Sequence, residues 1–375
     1  ILMAYQNVGT PRFFIDNYMY LRALGLNTES YIQQTSDLND PLFPNNYMIS
    51  PLTNENIFTL TPDIGKPLQR TGHGMRFFIP CGNLNGMDYS GNMKWYGAML
   101  NHNLGDCNIR IQNIMFHDAV IQDSDFNISD PDEIGILNAG NFINVNTMKN
   151  GSSIWFSDLT PENQPYTGFA ITGDGHGGSL ETFEVGAISM GVMYTMPHSP
   201  DLKLDLDIEF DGFEEIQTIG GSTLVNINQT GAPVWINNNK YNSPFAVGDF
   251  SENPYLDGAK RNGRRTWSLK FSFMSDDKIF ASNFMNTNHT ETIDGYEGQL
   301  DENNEFEDNI FTHDSFISQV WNKTLGGALR FIFQPDSENN NPDQFCICKF
   351  DQDSVQLKQV AFRTYSFSVK IREVW

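Results

Sequence analysis

Three stretches of this chain alternate apolar and polar side chains with a period of two, and that pattern commits it to β-structure. Leu202, Leu204, Leu206, Ile208 and Phe210 interleave with Lys203, Asp205, Asp207 and Glu209. Trp267, Leu269, Phe271 and Phe273 interleave with Ser268, Lys270 and Ser272, and Tyr365, Phe367, Val369 and Ile371 with Ser366, Ser368 and Lys370. A strand sends successive side chains to opposite faces, so each stretch predicts one face on a core and one in water. In Leu202–Phe210, five apolar residues are expected inward and a mostly acidic row outward. In the other two, the aromatic residues Trp267, Phe271, Phe273 and Phe367 are expected in the core.

Shorter signals fill the region before them. Met75–Ile79 is an apolar run closed by Pro80, Lys94–Leu100 reads as a buried strand with a turn over Asn101–Asp106, and Asn108–Ile114 alternates through Ile109 and Ile111. Short strands between Gly and Asn turns predict a sandwich or barrel, because each strand buries one face and needs a facing sheet. Helical signals are few. One short helix is expected over Asp16–Leu24, stopped by Gly25. A second, amphipathic one opens at Asp314 and lies near 315–325, with Phe316 above Val320, Ile317 above Trp321 and a stop at Gly326-Gly327.

The expected fold class is therefore mainly β, with two β-sandwich or jelly-roll domains, an extended N-terminal arm and one short amphipathic helix in the C-terminal domain. Residues 1–70, broken by Pro11, Pro41, Pro44, Pro51, Pro62 and Pro67, read as the arm, wrapped on a neighbour or on the rest of the chain. Residues 71–200 read as the first domain and 201–375 as the second. Residues 211–263 read as a long loop excursion and 281–310 as a polar surface loop. Trp375 follows Ile371 in phase and is expected to pack into the sheet.

Charge narrows the function. The net charge is −23, which argues against a nucleic-acid partner, since phosphate binding needs clustered Lys and Arg. The excess is uneven: residues 260–375 hold 13 basic and 17 acidic residues, a net of −4, and residues 1–259 a net of −19. Such a surface suits a salty exterior and equally an ordinary acidic protein. No window approaches the ~20 apolar residues of a membrane span. Residues 1–5 lack the basic start and apolar core of a secretion signal, and Met3 fits an initiator. The four Cys (81, 107, 346 and 348) do not form a disulfide framework, and Cys346 and Cys348, in an apolar run, are expected to be buried thiols.

Candidate chemistry is thin. Gly173–Gly178 is rich in glycine, but no Lys-Ser/Thr follows it, so it reads as a tight turn rather than a phosphate cradle. Asp205, Asp207, Glu209 and Asp211 share one strand face with neighbours ~6–7 Å apart, which favours a solvated row over a calcium site. The seven His have no paired ligand spacing, and no serine or cysteine nucleophile motif occurs. No catalytic, cofactor-binding or metal-binding residue is assigned, and no cofactor is expected. A separated pair of carboxylates able to hydrolyse a glycoside stays open as a lesser reading.

Several segments together resemble tail proteins of tailed bacteriophages. Lys94–Leu104 resembles the strand–turn signature of a galactose-binding-like jelly roll in such proteins, and Phe183–Gly191 resembles a later strand of that module. Arg265–Phe273, Phe316–Trp321, Gly326–Asp336, Cys346–Phe350 and Ser368–Trp375 resemble successive elements of a C-terminal β-sandwich. The similarity runs in patches over 90–200 and 264–375. It implies a non-enzymatic structural protein of the virion, assembled in the host cytoplasm, in a tail tip, baseplate or fibre-attachment ring of the distal-tail kind. The implied partners are other tail subunits and further copies of the chain. Two rivals remain: a receptor-binding tail protein that recognises a host surface glycan, and a capsid decoration or minor head protein. His102, in the strand–turn motif, is expected to stabilise the turn rather than bind a ligand.

Overall fold

A computed structural model describes residues 8–25, 31–35, 48–51, 60, 68–72, 74–80, 93–102, 108–114, 143–145, 151–157, 166–172, 181–202, 205–209, 213–227, 264–280, 314–340 and 344–374. In chain order, the first elements are β1 (Arg12–Asp16), α1 (Asn17–Ala23), β2 (Tyr31–Thr35), β3 (Met48–Pro51), β4 (Leu68–Gly72) and β5 (Gly74–Pro80). Then come β6 (Met93–His102), β7 (Asn108–Ile114), β8 (Ile143–Val145), β9 (Gly151–Ser157), β10 (Tyr166–Thr172) and β11 (Glu181–Thr195). β12 (Asp205–Glu209), β13 (Phe213–Gln217), β14 (Thr223–Ile227) and β15 (Arg264–Ser275) follow. The last are α2 (Asp276–Ile279), the π-helical turn α3 (Ile317–Asn322), β16 (Phe331–Gln334), β17 (Cys346–Phe350), β18 (Lys358–Ala361) and β19 (Thr364–Glu373).

The fold is mainly β, built on a large antiparallel sheet. Its path runs β12-β15-β19-β17-β16-β1-β11-β6-β9, with β18 paired to β19 and β4 to β11. A six-stranded sheet, β3-β2-β5-β10-β7-β8, and the separate hairpin β13–β14 complete the described strands. The large sheet draws on residues from both sides of position 200, because β1 pairs with β11 on one edge and β16 on the other.

That placement puts the start of the expected arm inside the large sheet of its own chain. Arg12–Asp16 is an interior strand, and side chains on both of its faces are buried. Phe13 packs with Phe331, Phe333, Phe316 and Phe350 on one side, and Phe14 with Tyr96 and Phe345 on the other. β16 and β17 do the same: Phe331, Phe333, Cys346 and Cys348 enter the first core, Ile332 and Ile347 the second. Strands covered on both faces read as unbroken apolar runs, here Phe13-Phe14-Ile15 and Phe331-Ile332-Phe333, so no alternation marks them. At Gly191 the β1–β11 approach is so close that a Cβ would run into the Ile15 carbonyl oxygen.

α1 matches the sequence reading closely. Asp16 caps it, its Oδ1 accepting from the Met19 N–H at 2.9 Å, and Gly25 leaves it at φ +73°. The expected helix near 315–325 is instead a single π-helical turn. Phe316, Ile317 and Val320 are buried and Trp321 is half-buried, as the spacing requires, and Leu325, Gly326 and Gly327 turn the chain away at positive φ. Thr324 Oγ1 donates to the carbonyls of Val320 and Trp321, capping the wide turn.

Two further expectations fail. Residues 213–227 form the β13–β14 hairpin rather than loop, although 228–263 lie outside the described residues. Leu202–Phe210 does not bury five apolar residues: Leu202 is fully exposed, Ile208 is mostly exposed, and only Leu206 packs partly against the core. β12 is the terminal strand of the described sheet path, and its inner face is covered only in part, at Leu206. The side chains of Leu204 and Phe210 lie outside the described residues, as do Trp375 and the segment 281–310.

Candidate functional site

β15 carries a bulge that changes which aromatic residues it buries. Its pairing with β19 is regular from Thr266↔Arg372 to Phe271↔Phe367, then shifts so that Met274 opposes Tyr365. The extra residue reverses the phase. Trp267, Leu269 and Phe271 are buried as expected, but Met274 takes the next inward place, and Phe273 is 78% exposed at φ +60°. A bulge re-aims a side chain, and a left-handed non-glycine residue costs on the order of 1–3 kcal/mol.

A second strained residue lies beside it. β18 and β19 join through Phe362-Arg363, with Arg363 at φ +54° and Phe362 88% exposed. The Arg363 carbonyl accepts from the Asp276 N–H at 3.1 Å, and its Nε donates to Asp276 Oδ2 at 2.6 Å. That hydrogen bond holds the Asp276 carboxyl below its ordinary range. The corner around the Ser275–Thr364 pair therefore presents two large aromatic side chains on a backbone fixed by an ion pair. Val360 of β18 is exposed beside them, and Lys358 adds positive charge.

The other exposed apolar surface is the hairpin. Among the described residues β13 and β14 pair only with each other. Ile216 and Leu224 face each other across the ribbon, and Ile219 stands fully exposed at its tip. The tip is ordered: Thr218 Oγ1 donates to the Ser222 carbonyl at 3.0 Å and accepts from the Ser222 N–H, and Gly221 supplies φ +85°. An isolated two-stranded ribbon is marginal in water.

Several polar groups with the chemistry of an acid, base or nucleophile are buried. Asp16 accepts from Ser189 Oγ at 2.7 Å, and Ser189 is hydrogen-bonded to Tyr96 Oη at 2.7 Å. Burial pushes the Asp16 carboxyl up to about 7, against the lowering effect of its hydrogen bonds. Lys323 donates to Gln319 Oε1 at 2.6 Å, and burial brings its amine down to about 7. Cys346 and Cys348 are buried thiols as expected, with their sulfurs 3.4 Å apart, and burial pushes the Cys348 thiol up. Arg265 and Glu373 form a buried bidentate pair at 2.8 and 3.1 Å. Asp16 and Lys323 are each only 2% exposed, which suits them to a structural role.

The sequence candidates are not brought together. Asp205 and Asp207 are exposed and Glu209 bonds Arg372 at 2.7 Å, the arrangement of a solvated row. Gly173–Gly178 and the turn after His102 lie outside the described residues; His102 itself pairs with Val185 and Gly151 in the sheet. Among the described residues no group of three or more His, Cys, Asp or Glu is placed to hold a metal ion, and no helix is long and apolar enough to cross a membrane. The Phe273–Phe362 corner escaped sequence reasoning because the alternation assigned Phe273 to the core. The signal that marks the bulge is Phe273-Met274, two adjacent large apolar residues where the pattern calls for one.

No protein-family model, curated protein or solved structure matches the chain.

Proposed function

We propose that this chain is a non-enzymatic structural protein of a tailed-phage virion, part of a tail tip, baseplate or fibre-attachment ring, and that it works by oligomeric assembly. The observation that carries the reading is the contrast between its surfaces and its interior. Ordered apolar groups are displayed at the Phe273–Phe362 corner and on the β13–β14 hairpin, whereas Asp16, Lys323, Cys346 and Cys348 are buried. Exposed, rigidly held apolar groups are the usual mark of a protein–protein contact. The motif similarity of Arg265–Trp375 to phage tail sandwiches supplies the identity of the assembly.

The finer architecture belongs to the same proposal: a galactose-binding-like jelly roll over 71–200 and a β-sandwich over 201–375, sharing the long sheet. Partners are other tail subunits and further copies of the chain. A density map of the intact virion tests this directly. The chain's fold is expected in the distal tail, and a particle in which the protein is absent from the tail would overturn the reading. A second reading, recognition of a host glycan, is favoured by Phe273 and Phe362, because exposed rings can stack on sugars. A glycan array without any binding removes it.

A further inference from the structure

Lys323 directly follows the π-helical turn α3 and is buried, in a place poorly suited to a charge. An ammonium has three donors, yet among the described residues the only side-chain partner of Lys323 is the neutral Gln319 Oε1, at 2.6 Å. α3 touches β1, which carries Arg12 and Asp16, and β11, whose acidic residues Glu181 and Glu184 are at least ten residues before Tyr194, the ring that meets Phe316. β17, beneath Trp321, carries Lys349. The charged residues of β19 are engaged elsewhere: Lys370 with Asp351, Arg372 with Glu209 and Glu373 with Arg265. Asp314 pairs with Lys278, and Arg330 donates to the Leu60 carbonyl. None of these bonds the Lys323 amine, and burial is what displaces its titration.

The chain around Lys323 is closed on itself. The Gly326 N–H donates to the Trp321 carbonyl at 3.0 Å, and the Leu329 N–H to the Thr324 carbonyl at 2.9 Å. Leu325, Gly326 and Gly327 turn it at φ +52°, +65° and +96°. It rests on Phe350 through Trp321, at 5.2 Å between ring centroids, and through Gly327, where a Cβ would come within 2.9 Å of the Phe350 Cβ. Phe316, ahead of it, is held separately by Phe13 and Phe367. We propose that residues 321–329 form a proton-operated latch: when Lys323 takes up a proton, its amine leaves the core for water and the segment lifts from Phe350, while Phe316 stays seated. A neutral amine can remain beside Gln319, but an ammonium there lacks the partners that would offset its lost hydration. The closed amine titrates at about 7 and a solvated one at 10.5. Opening therefore becomes tenfold more favourable for each pH unit from 10.5 down to 7, and levels off below 7. The latch is tightest in alkali and loosest at neutral pH and below.

The test is hydrogen exchange of the full-length protein, followed by mass spectrometry from pH 6 to pH 9, with each rate divided by the intrinsic rate at that pH. In the peptide that covers 321–329, the opening constant is expected to rise on the order of 100-fold from pH 9 to pH 7 and to level off below. At pH 7 it is expected to exceed the opening constants of β15 and β19 by about tenfold or more, the sign that the segment lifts without unfolding of the sheet. Lys323→Met is expected to remove the pH dependence and keep the segment closed. Gln319→Glu gives the ammonium a carboxylate partner in place, so it is expected to flatten the dependence with the lysine still present, and it serves if Lys323→Met does not fold. An opening constant that does not change with pH overturns the latch, because the amine then charges without lifting the segment. A dependence that survives in Lys323→Met overturns it as well, since another group is then the trigger. Equal opening constants in 321–329, β15 and β19 also overturn it, because only global unfolding then answers the proton.

Discussion

β12 and β15 lie side by side, pairing Leu206 with Trp267 and Ile208 with Arg265, and both alternate apolar and polar residues. Trp267 is completely buried, Leu206 half-buried and Ile208 mostly exposed. The sequence pattern is equally clean in each, so the difference arises outside the strands. β15 is flanked by β12 and β19 and faces the aromatic core around Phe13, Phe316 and Phe333, whereas β12 ends the sheet path. Period-two alternation separates two faces; burial of either face requires another layer to arrive over it. An edge strand bearing Asp205, Asp207 and Glu209 also resists pairing with a foreign strand.

The largest expected effects lie on the buried side. Glu373→Ala leaves the Arg265 guanidinium buried without its carboxylate, and stability in urea is expected to fall by about 3–5 kcal/mol. Trp267→Ala removes a ring packed edge-on to Phe333, at 5.3 Å between centroids, and is expected to cost a similar ~3–5 kcal/mol. Ile208→Ala, one strand away, is expected to change stability by less than about 0.5 kcal/mol. Equal losses at Trp267 and Ile208 would break the comparison.

Next come the buried titratable groups, whose effects have opposite pH signs. The Lys323 amine lies at about 7 in the fold, below its ordinary 10.5. Its contribution is therefore favourable above 10.5 and is lost as pH falls through 7. Lys323→Met is expected to stabilise the protein by several kcal/mol at pH 6 and progressively less toward pH 10. Asp16 is raised from 3.8 to about 7, so its contribution is complete below pH 3.8 and is lost as pH rises through 7. Asp16→Asn, which keeps an oxygen to accept from the Met19 N–H, is expected to flatten stability between pH 4 and 7. Thermal melts from pH 4 to pH 10 check both, and an Asp16→Asn protein with the wild-type pH profile would count against a desolvated carboxyl.

The smallest effect belongs to the exposed aromatic corner. Phe273→Gly relieves a left-handed non-glycine residue and removes no core contact, so a gain of roughly 0.5–1 kcal/mol is expected. A loss of 2 kcal/mol or more would mean that Phe273 packs in the core after all.

Much of the local structure was legible. Asp16 and Gly25 marked the ends of α1 because a cap side chain and a left-handed glycine act within one turn. The strands β15 and β19 announced themselves because each has one polar face. β1 was hidden for the opposite reason: Phe13-Phe14-Ile15 has no polar face, and the adjacent Pro11 suggested irregular chain. Of the candidate site, Phe362-Arg363 was unmarked, and Phe273 was assigned to the wrong face, because a one-residue bulge reverses every side chain beyond it.

The sequence by itself determined that the chain is mainly β, that it is acidic, where α1 begins and ends, and which residues of β15 share a face as far as Phe271. These follow from side-chain alternation, charge and backbone preference, all of which act over a few residues. The tertiary structure alone decided that Arg12–Asp16 lies inside the large sheet, that Leu202 and Ile208 face solvent, and that Phe273 points outward while Met274 points in. Each of those outcomes depends on which distant strand supplies the hydrogen bonds and the covering layer, and that choice is made between segments far apart in sequence, from Ile208 with Arg265 to Arg12 with Gln334.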